Sequence, residues 1–409
     1  MMKDVELFGI SAAAGLRTSV AIRTSVLTED HQLVELKDEW DELLDESSRG
    51  SFFLRWSWNE LWWQIFRPSR SHLFIITCRD ERGVLVGLAP LYWRQHRTAG
   101  LPHLRELQFL GTGIFAQTSE YVDLIARCGF EQIVADSVGD FLLNSPDWER
   151  LCLTEVPTDS GMLSGLERRL GVGAEIRTCN RSYFINTDIN WNEFRSGLTS
   201  HARANIFRRA RRLFEEFDCE FRVVDRPEEF DPAMDALIEL HQTRWRSKGE
   251  PGTFALNGSE QLIRKAARNA LSTGRLRLWT LSLDKKIVAA MLGLVDKGVL
   301  HAFQSGYDPA YNGLGSVMIG LCIRACVNDE AVRYFDFMGG PDQYKQRWTR
   351  DHRDSATLVY ERKNSRSTLY EMIGKTTGVV KWVSRRVVPR RLKLRLHNVV
   401  IRRRYYSNR

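Results

Sequence analysis

Residues 275–315 read RLRLWTLSLDKKIVAAMLGLVDKGVLHAFQSGYDPAYNGLG, and this pattern decides the fold class. Two apolar, strand-like runs meet at Asp284-Lys285-Lys286, a polar turn of the hairpin kind. A third run, rich in aromatic and β-branched residues, closes at Asp308-Pro309. Tyr311-Asn312-Gly313-Leu314-Gly315-Ser316 then runs straight into VMIGLCIRACV, apolar at helical spacing. The apolar run YFDFMGG follows, and the stretch ends on Tyr344-Lys345 and Trp348. The order strand, strand, strand, glycine loop, helix, strand predicts an α/β fold built on a mixed sheet.

The glycine loop carries the chemistry of this stretch. Gly313 and Gly315 allow close approach of an anion to the backbone. The N–H groups of the first helical turn point at that anion, and the helix dipole adds attraction. Such a loop is a pyrophosphate cradle, with the amides of Gly313, Gly315 and Ser316 as its donors. A Gly-x-Gly ahead of a helix also serves as a plain turn, so the order of elements around it supplies the specificity.

At these residues the chain resembles the GNAT acetyltransferase superfamily, in the branch of the CelD-type proteins of exopolysaccharide and cellulose production. Leu240-His241, Arg244-Trp245, Lys248-Gly249, Ser305-Gly306-Tyr307-Asp308, Tyr311 and Gly315 carry the likeness. Phe335-Asp336-Phe337, Gly339-Gly340, Tyr344-Lys345 and Trp348 complete it. It is specific over about residues 195–350 and looser over 30–185. The resemblance implies direct acyl transfer from an acyl-CoA, acetyl-CoA first, with no metal and no covalent intermediate. One departure bears on the phosphate contacts: the superfamily's loop carries Arg or Gln three residues before its first glycine, and this chain has Ala310 there.

The length of 409 residues suits two domains and a tail. A hydrophobic content of 43%, with 12 Trp and 20 Phe, excludes disorder over most of the chain. Seven cysteines, an odd number without a C-x-x-C pair, argue for a reducing compartment and against a disulfide framework or zinc site. From Lys363 onward 14 Lys and Arg face one acid, Glu371, so of the net +8 the first 362 residues carry −5. The expected organisation is a flexible leader over 1–28, a first GNAT-like domain over 29–190, a second over 191–362 and a basic amphipathic tail over 363–409.

The first half parallels the second. VLVGLAPLY occupies the position of IVAAMLGLV, and WERLCLTEV that of VRYFDFMGG. Gly111-Thr112-Gly113 has no convincing helix after it, so the first fold is read as lacking a cofactor site. LVELKDEWDELLDES and the segment holding Trp56, Trp58, Trp62 and Trp63 read as helices, the latter as core. LRELQFLG and EYVDLIA read as strands. In 195–217, Ala202, Ile206, Ala210, Leu213 and Phe217 form an apolar face beside five arginines, which suit either an anionic ligand or a solvated face.

Acyl transfer needs a group to take the acceptor's proton, a site for both substrates and a donor to the leaving thiolate. By resemblance His241 is the base, with His301 in reserve on the third strand. Tyr344 returns a proton to the thiolate, Asp336 is a strand-end hydrogen-bonding residue or orients a base, and Arg244, Tyr344 and Lys345 line the acceptor site. Asp308 reads as a turn residue. A sugar or amino sugar is the expected acceptor. The tail interleaves Val, Leu and Trp382 with arginine, which fits an anionic membrane surface at the inner face of a cytoplasmic location, with nucleic acid a weaker partner. No G-x-S-x-G, Walker loop or HExxH motif is present. Two other readings stay open: an aminoacyl-tRNA-dependent transferase of the FemAB type, and a non-catalytic scaffold at a membrane synthase.

Overall fold

The computed structural model describes residues 5–8, 21–96, 103–113, 119–340 and 343–362. The basic tail, and with it the membrane-surface expectation, lies outside the described residues. The first half comprises β1 (Val5–Phe8), β2 (Ala21–Leu27), α1 (Asp30–Glu35), α2 (Lys37–Glu46), α3 (Trp56–Phe66), β3 (Ser71–Arg79), β4 (Leu85–His96), β5 (Leu104–Phe109), β6 (Ile125–Ala126), α4 (Glu131–Asn144), β7 (Arg150–Pro157), α5 (Gly161–Leu170) and β8 (Ala174–Asn186). The second comprises α6 (Trp191–Gly197), α7 (Ser200–Glu216), β9 (Cys219–Val223), α8 (Pro227–Ser247), α9 (Ser259–Ser272), β10 (Leu276–Leu283), β11 (Lys286–Asp296), β12 (Val299–Tyr307), α10 (Leu314–Val327), β13 (Tyr334–Asp336) and β14 (His352–Glu361).

The strands form one mixed sheet in the order β1-β2-β3-β4-β5-β7-β14-β8-β13-β12-β11-β10-β9, with β6 added to β4. The tandem expectation holds, because β2-β3-β4-β5-β7 and β9-β10-β11-β12-β13 repeat one arrangement, each ending on a parallel pair. The β10–β11 turn places Asp284 and Lys285 at φ +48° and +68°, as a tight hairpin requires. From Val288 to Asp296 every residue of β11 is buried, the mark of a strand covered on both faces. Trp40, Trp58 and Trp62 are fully buried, and Cys322 and Cys326 pack in the second core.

Two expectations change. Residues 21–27, read as part of a flexible leader, form β2 against β3, with Ile22 and Thr24 turned inward at strand period. EYVDLIA is a strand only at Ile125–Ala126, because Tyr121 takes φ +54° and leaves the extended region.

Each half completes the other. β8 pairs with β13, and β14 crosses back to pair with β7, so the two strands lie side by side between the halves. Side chains follow the same seam. Buried Arg55 grips Asp296 through Nε (2.5 Å) and Nη2 (2.8 Å), and Nη2 also reaches Asp45 at 2.6 Å. The Tyr121 hydroxyl donates to Asp336 (3.0 Å), and the Gly339 amide donates to Glu120 (2.8 Å). Lys297 donates to the carbonyls of Asp45 and Ser47.

Arg55→Met strands the Asp296 carboxylate in the seam, and a loss of about 3–5 kcal/mol is expected in urea unfolding. The double variant Arg55→Met/Asp296→Leu should regain most of it; a single-variant loss below about 1 kcal/mol would show that water solvates the pair. Glu120 gives a pH signature. Burial, aided by the Asp336 and Glu155 charges, lifts its carboxyl to about 7 from the usual 4.5. The folded chain therefore keeps a proton that the unfolded chain has lost. Stability from this group is whole below about 4.5 and declines as pH rises to about 7. Glu120→Gln should flatten that decline between urea midpoints at pH 5 and pH 8, and an unchanged slope would place the titration elsewhere.

Candidate functional site

β12 and β13 run parallel for only three rungs, Val299–Tyr334, Leu300–Phe335 and His301–Asp336. Beyond Asp336 the second strand ends, while β12 continues to Tyr307 along β11. The two chains therefore part after the His301–Asp336 rung. Among the described residues the split leaves peptide groups of β12 without a strand partner on that side, and such groups can bind an extended ligand. α10 starts beside the outer end of the split, after β12 has turned at Asp308. There the Asp308 carboxylate accepts the Ala310 amide (2.9 Å), the turn role read from sequence.

Gly313 caps α10 at φ +81°, a conformation that glycine adopts without strain. The amides of Leu314 and Ser316 turn back to the carbonyls of Tyr311 (3.2 Å) and Gly313 (3.0 Å). The Gly315 amide has no such backbone bond among the described residues. The loop's glycines are also close-packed. A Cβ on Gly315 would lie 2.6 Å from the Tyr307 ring, and one on Gly313 would lie 2.5 Å from Arg209 Nη1. Arg209 comes from α7. Its neighbours Arg211 and Arg212 pair with Glu215 and Glu216, and Arg208 donates to Asn205, but no acid pairs with Arg209 among the described residues. A guanidinium thus lies across the glycine loop.

The mouth of the split gathers two of the expected acceptor-side residues. Arg244, near the end of α8, stacks on Tyr307 with its Cζ 4.7 Å from the ring centroid, and its buried Nε has no hydrogen-bond partner. Tyr344 packs edge-on to Phe337 at 6.3 Å. Burial raises the Tyr344 pKa, and Arg244 works against that rise, so the phenol keeps its proton at neutral pH. Arg244, Tyr307, Tyr344 and Gly315 meet here.

His241 lies one helical turn before Arg244 and is 3% exposed. Its Nδ1 contacts Gln242 Oε1 at 3.1 Å, and its ring meets Phe254 edge-on at 4.9 Å. Burial drops its pKa to about 4, so the imidazole is neutral at pH 7. The α8 backbone comes so close to β12 that a Cβ on Gly306 would lie 2.4 Å from the His241 amide nitrogen. Only glycine fits at 306, and this fixes the height of α8 over the sheet.

Asp336 and Lys345 lie deeper, at the base of the split. Asp336 is fully buried; it accepts from the Met338 amide (2.6 Å) and the Tyr121 hydroxyl, and Arg353 stands 3.9 Å away. Lys345, read as a cation facing the acceptor, is 1% exposed, and its ammonium donates to the carbonyls of Met338 (2.5 Å), Gly339 (2.6 Å) and Gly340 (3.4 Å). Those contacts hold the chain that leaves β13, so the charge faces backbone instead of solvent. Asp336 likewise anchors Tyr121 and makes no hydrogen bond to His301, whose ring nitrogens have no partner. Sequence reading missed Tyr121 and Arg353, because the first half brings one and the exchanged strand β14 brings the other. Among the described residues no group of three His, Cys, Asp or Glu is placed to hold a metal, and no helix is long and apolar enough to cross a membrane.

Residues 200–346, which include the split, the glycine loop and the mouth, match the acetyltransferase (GNAT) domain family. No curated protein matches the sequence. Among solved structures, FemX superposes with a TM-score of 0.57 at 12% identity, covering 82% of this chain and 98% of FemX. A conserved protein of unknown function from Bacteroides thetaiotaomicron VPI-5482 superposes with a TM-score of 0.53 at 13% identity, covering 82% of this chain and 100% of its own. At such identities the likeness is one of fold, and it extends over both halves. Residues 200–346 are thus an acetyltransferase (GNAT) domain, in a chain whose fold is shared with FemX.

Proposed function

We propose that the chain is an acyl-CoA-dependent acyltransferase, with acetyl-CoA as the first donor to test. The observation that carries this reading is the three-rung β12–β13 pair that opens toward a glycine-capped helix. The pantetheine arm would lie along the unpaired edge of β12 and the pyrophosphate against Gly313, Gly315 and Ser316, with the Gly315 amide as first donor. Arg209 supplies the cation that Ala310 does not, from a different element. In this assignment Tyr344, protonated at neutral pH, donates to the leaving thiolate. His241, unprotonated at neutral pH, takes the acceptor's proton, and Arg244 lies between them at the mouth. Asp336 and Lys345 hold the far wall. The acceptor is a sugar or amino sugar, as in the CelD-type branch, and the setting is cytoplasmic with the basic tail on an anionic membrane surface.

A second reading has its own support. The fold shared with FemX extends over both halves, which suits an aminoacyl-tRNA donor of the FemAB type. In that case the same split would receive an aminoacyl ester, and CoA would not bind.

Calorimetric titration of the full chain with acetyl-CoA separates the two. Binding is expected, and Gly315→Trp should abolish it because the indole displaces Tyr307 and fills the loop. Arg209→Glu, a surface change, should weaken binding at least about tenfold through loss and reversal of one phosphate-facing charge. No heat and no thermal shift at millimolar acetyl-CoA would sink the CoA reading, and aminoacyl-tRNA would then be the donor to test.

A further inference from the structure

The seam between the halves encloses a cavity that this transfer scheme leaves unused. Its volume is about 70 Å³, room for a few small polar groups. Ser51 borders it ahead of α3, Tyr121 and Asp123 from the segment before β6, His301 from β12 and Arg353 from β14. The exposed Arg49–Asp159 ion pair stands at its rim.

His301 is the unusual member. It is 2% exposed, and neither ring nitrogen has a hydrogen-bond partner. Phe53 at 5.3 Å and Tyr121 at 5.6 Å hold its ring in place. A buried polar atom without a partner is destabilising, and here two occur on one ring that borders an open space. Burial lowers the His301 pKa to about 4, so the imidazole is neutral and offers one N–H donor and one lone pair.

The two arginines at the cavity each have an acid beside them. Arg353 lies over Phe184 and Tyr121 and stands 3.9 Å from Asp336, while Arg49 pairs with Asp159. Burial raises the Asp123 carboxyl to about 6, and the amide of Leu124 donates to it. The cavity therefore calls for an uncharged group that both donates and accepts. We infer that it binds a hydroxyl group of an alcohol or sugar, with His301 as the principal hydrogen-bond partner and Arg353 beside it. His301 also forms the last rung before β12 and β13 part, so a hydroxyl held here lies at the base of the split. The inference goes beyond the proposed function by adding a site for a further hydroxyl of the acceptor, apart from the group whose proton His241 takes, and it rests on that reading for the reaction but not for the binding.

The test uses the full chain labelled with ¹⁵N-histidine, with glycerol as the hydroxyl probe and acetate and ethylammonium as charged probes. The His301 ring resonances, assigned by their loss in His301→Asn, should move with glycerol and stay with the charged probes. His301→Leu should weaken glycerol binding at least about tenfold, as for one or two lost hydrogen bonds. Arg209→Glu should leave the glycerol response intact while weakening acetyl-CoA. Unmoved His301 resonances at saturating glycerol would mean that the cavity holds water only, and would overturn the inference whether or not the variants fold. A response to acetate or ethylammonium in place of glycerol would overturn it equally. If glycerol binds and acetyl-CoA does not, the donor assignment falls and this site stands; the reverse result removes this site alone.

Discussion

The exchange of β8 and β14 is the constraint on which the rest of the molecule depends. Each half would otherwise end on an open edge next to its parallel pair, a row of unpaired peptide groups. Instead β14 covers β7, β8 covers β13, and the two cover each other. This antiparallel joint makes one sheet of two repeats and sets their spacing. It also delivers Arg353 to the base of the β12–β13 split, although Arg353 is distant in sequence from every other residue there except Asp336 and Lys345. A cut between the halves at residue 190 would leave β8 and β14 each on the wrong side of its main partner, so neither half is a self-sufficient unit of the sheet.

The second repeat was legible in the sequence because its signals are local. The hairpin at Asp284-Lys285, the closing turn at Asp308-Pro309 and the glycine cap of α10 each depend on a few adjacent residues, and each appears where their chemistry places it. The strand β2 was hidden for the opposite reason. AIRTSVL is short, half polar and preceded by small residues, and only pairing with β3 makes it a strand. The seam was illegible altogether. Tyr121 sits in a stretch that reads as a strand, yet a positive φ turns it so that its hydroxyl meets Asp336, 215 residues away. Single-sequence periodicity carries no information about such a contact, because it reports the local chain and not what the chain packs against.

Lys345 shows how a motif residue can be found and its role misread. Adjacent to Tyr344 and close to a glycine pair, it invited a charge argument about substrate. Burial reverses that argument. An ammonium removed from water requires acceptors, and the carbonyls of 338–340 supply three. The lysine therefore shapes the chain that lets β13 stop after three residues, and the split exists partly because of it. Tyr344, its neighbour, keeps 39% of its surface exposed and remains at the mouth.

The two histidines make the same point in electrostatic terms. Burial brings both to about 4, so both are neutral at physiological pH, and charge cannot distinguish them. Hydrogen bonding can. His241 has Gln242 on its Nδ1 and the rings of Trp245 and Phe254 around it. His301 has nothing on either nitrogen and a cavity beside it. A fold that only needed to fill this space would gain from an apolar side chain of similar volume in place of the imidazole. Keeping two unmatched polar atoms at the last rung of the split is a cost without structural return, and that asymmetry marks the seam, as well as the mouth, as a place where this chain meets a ligand.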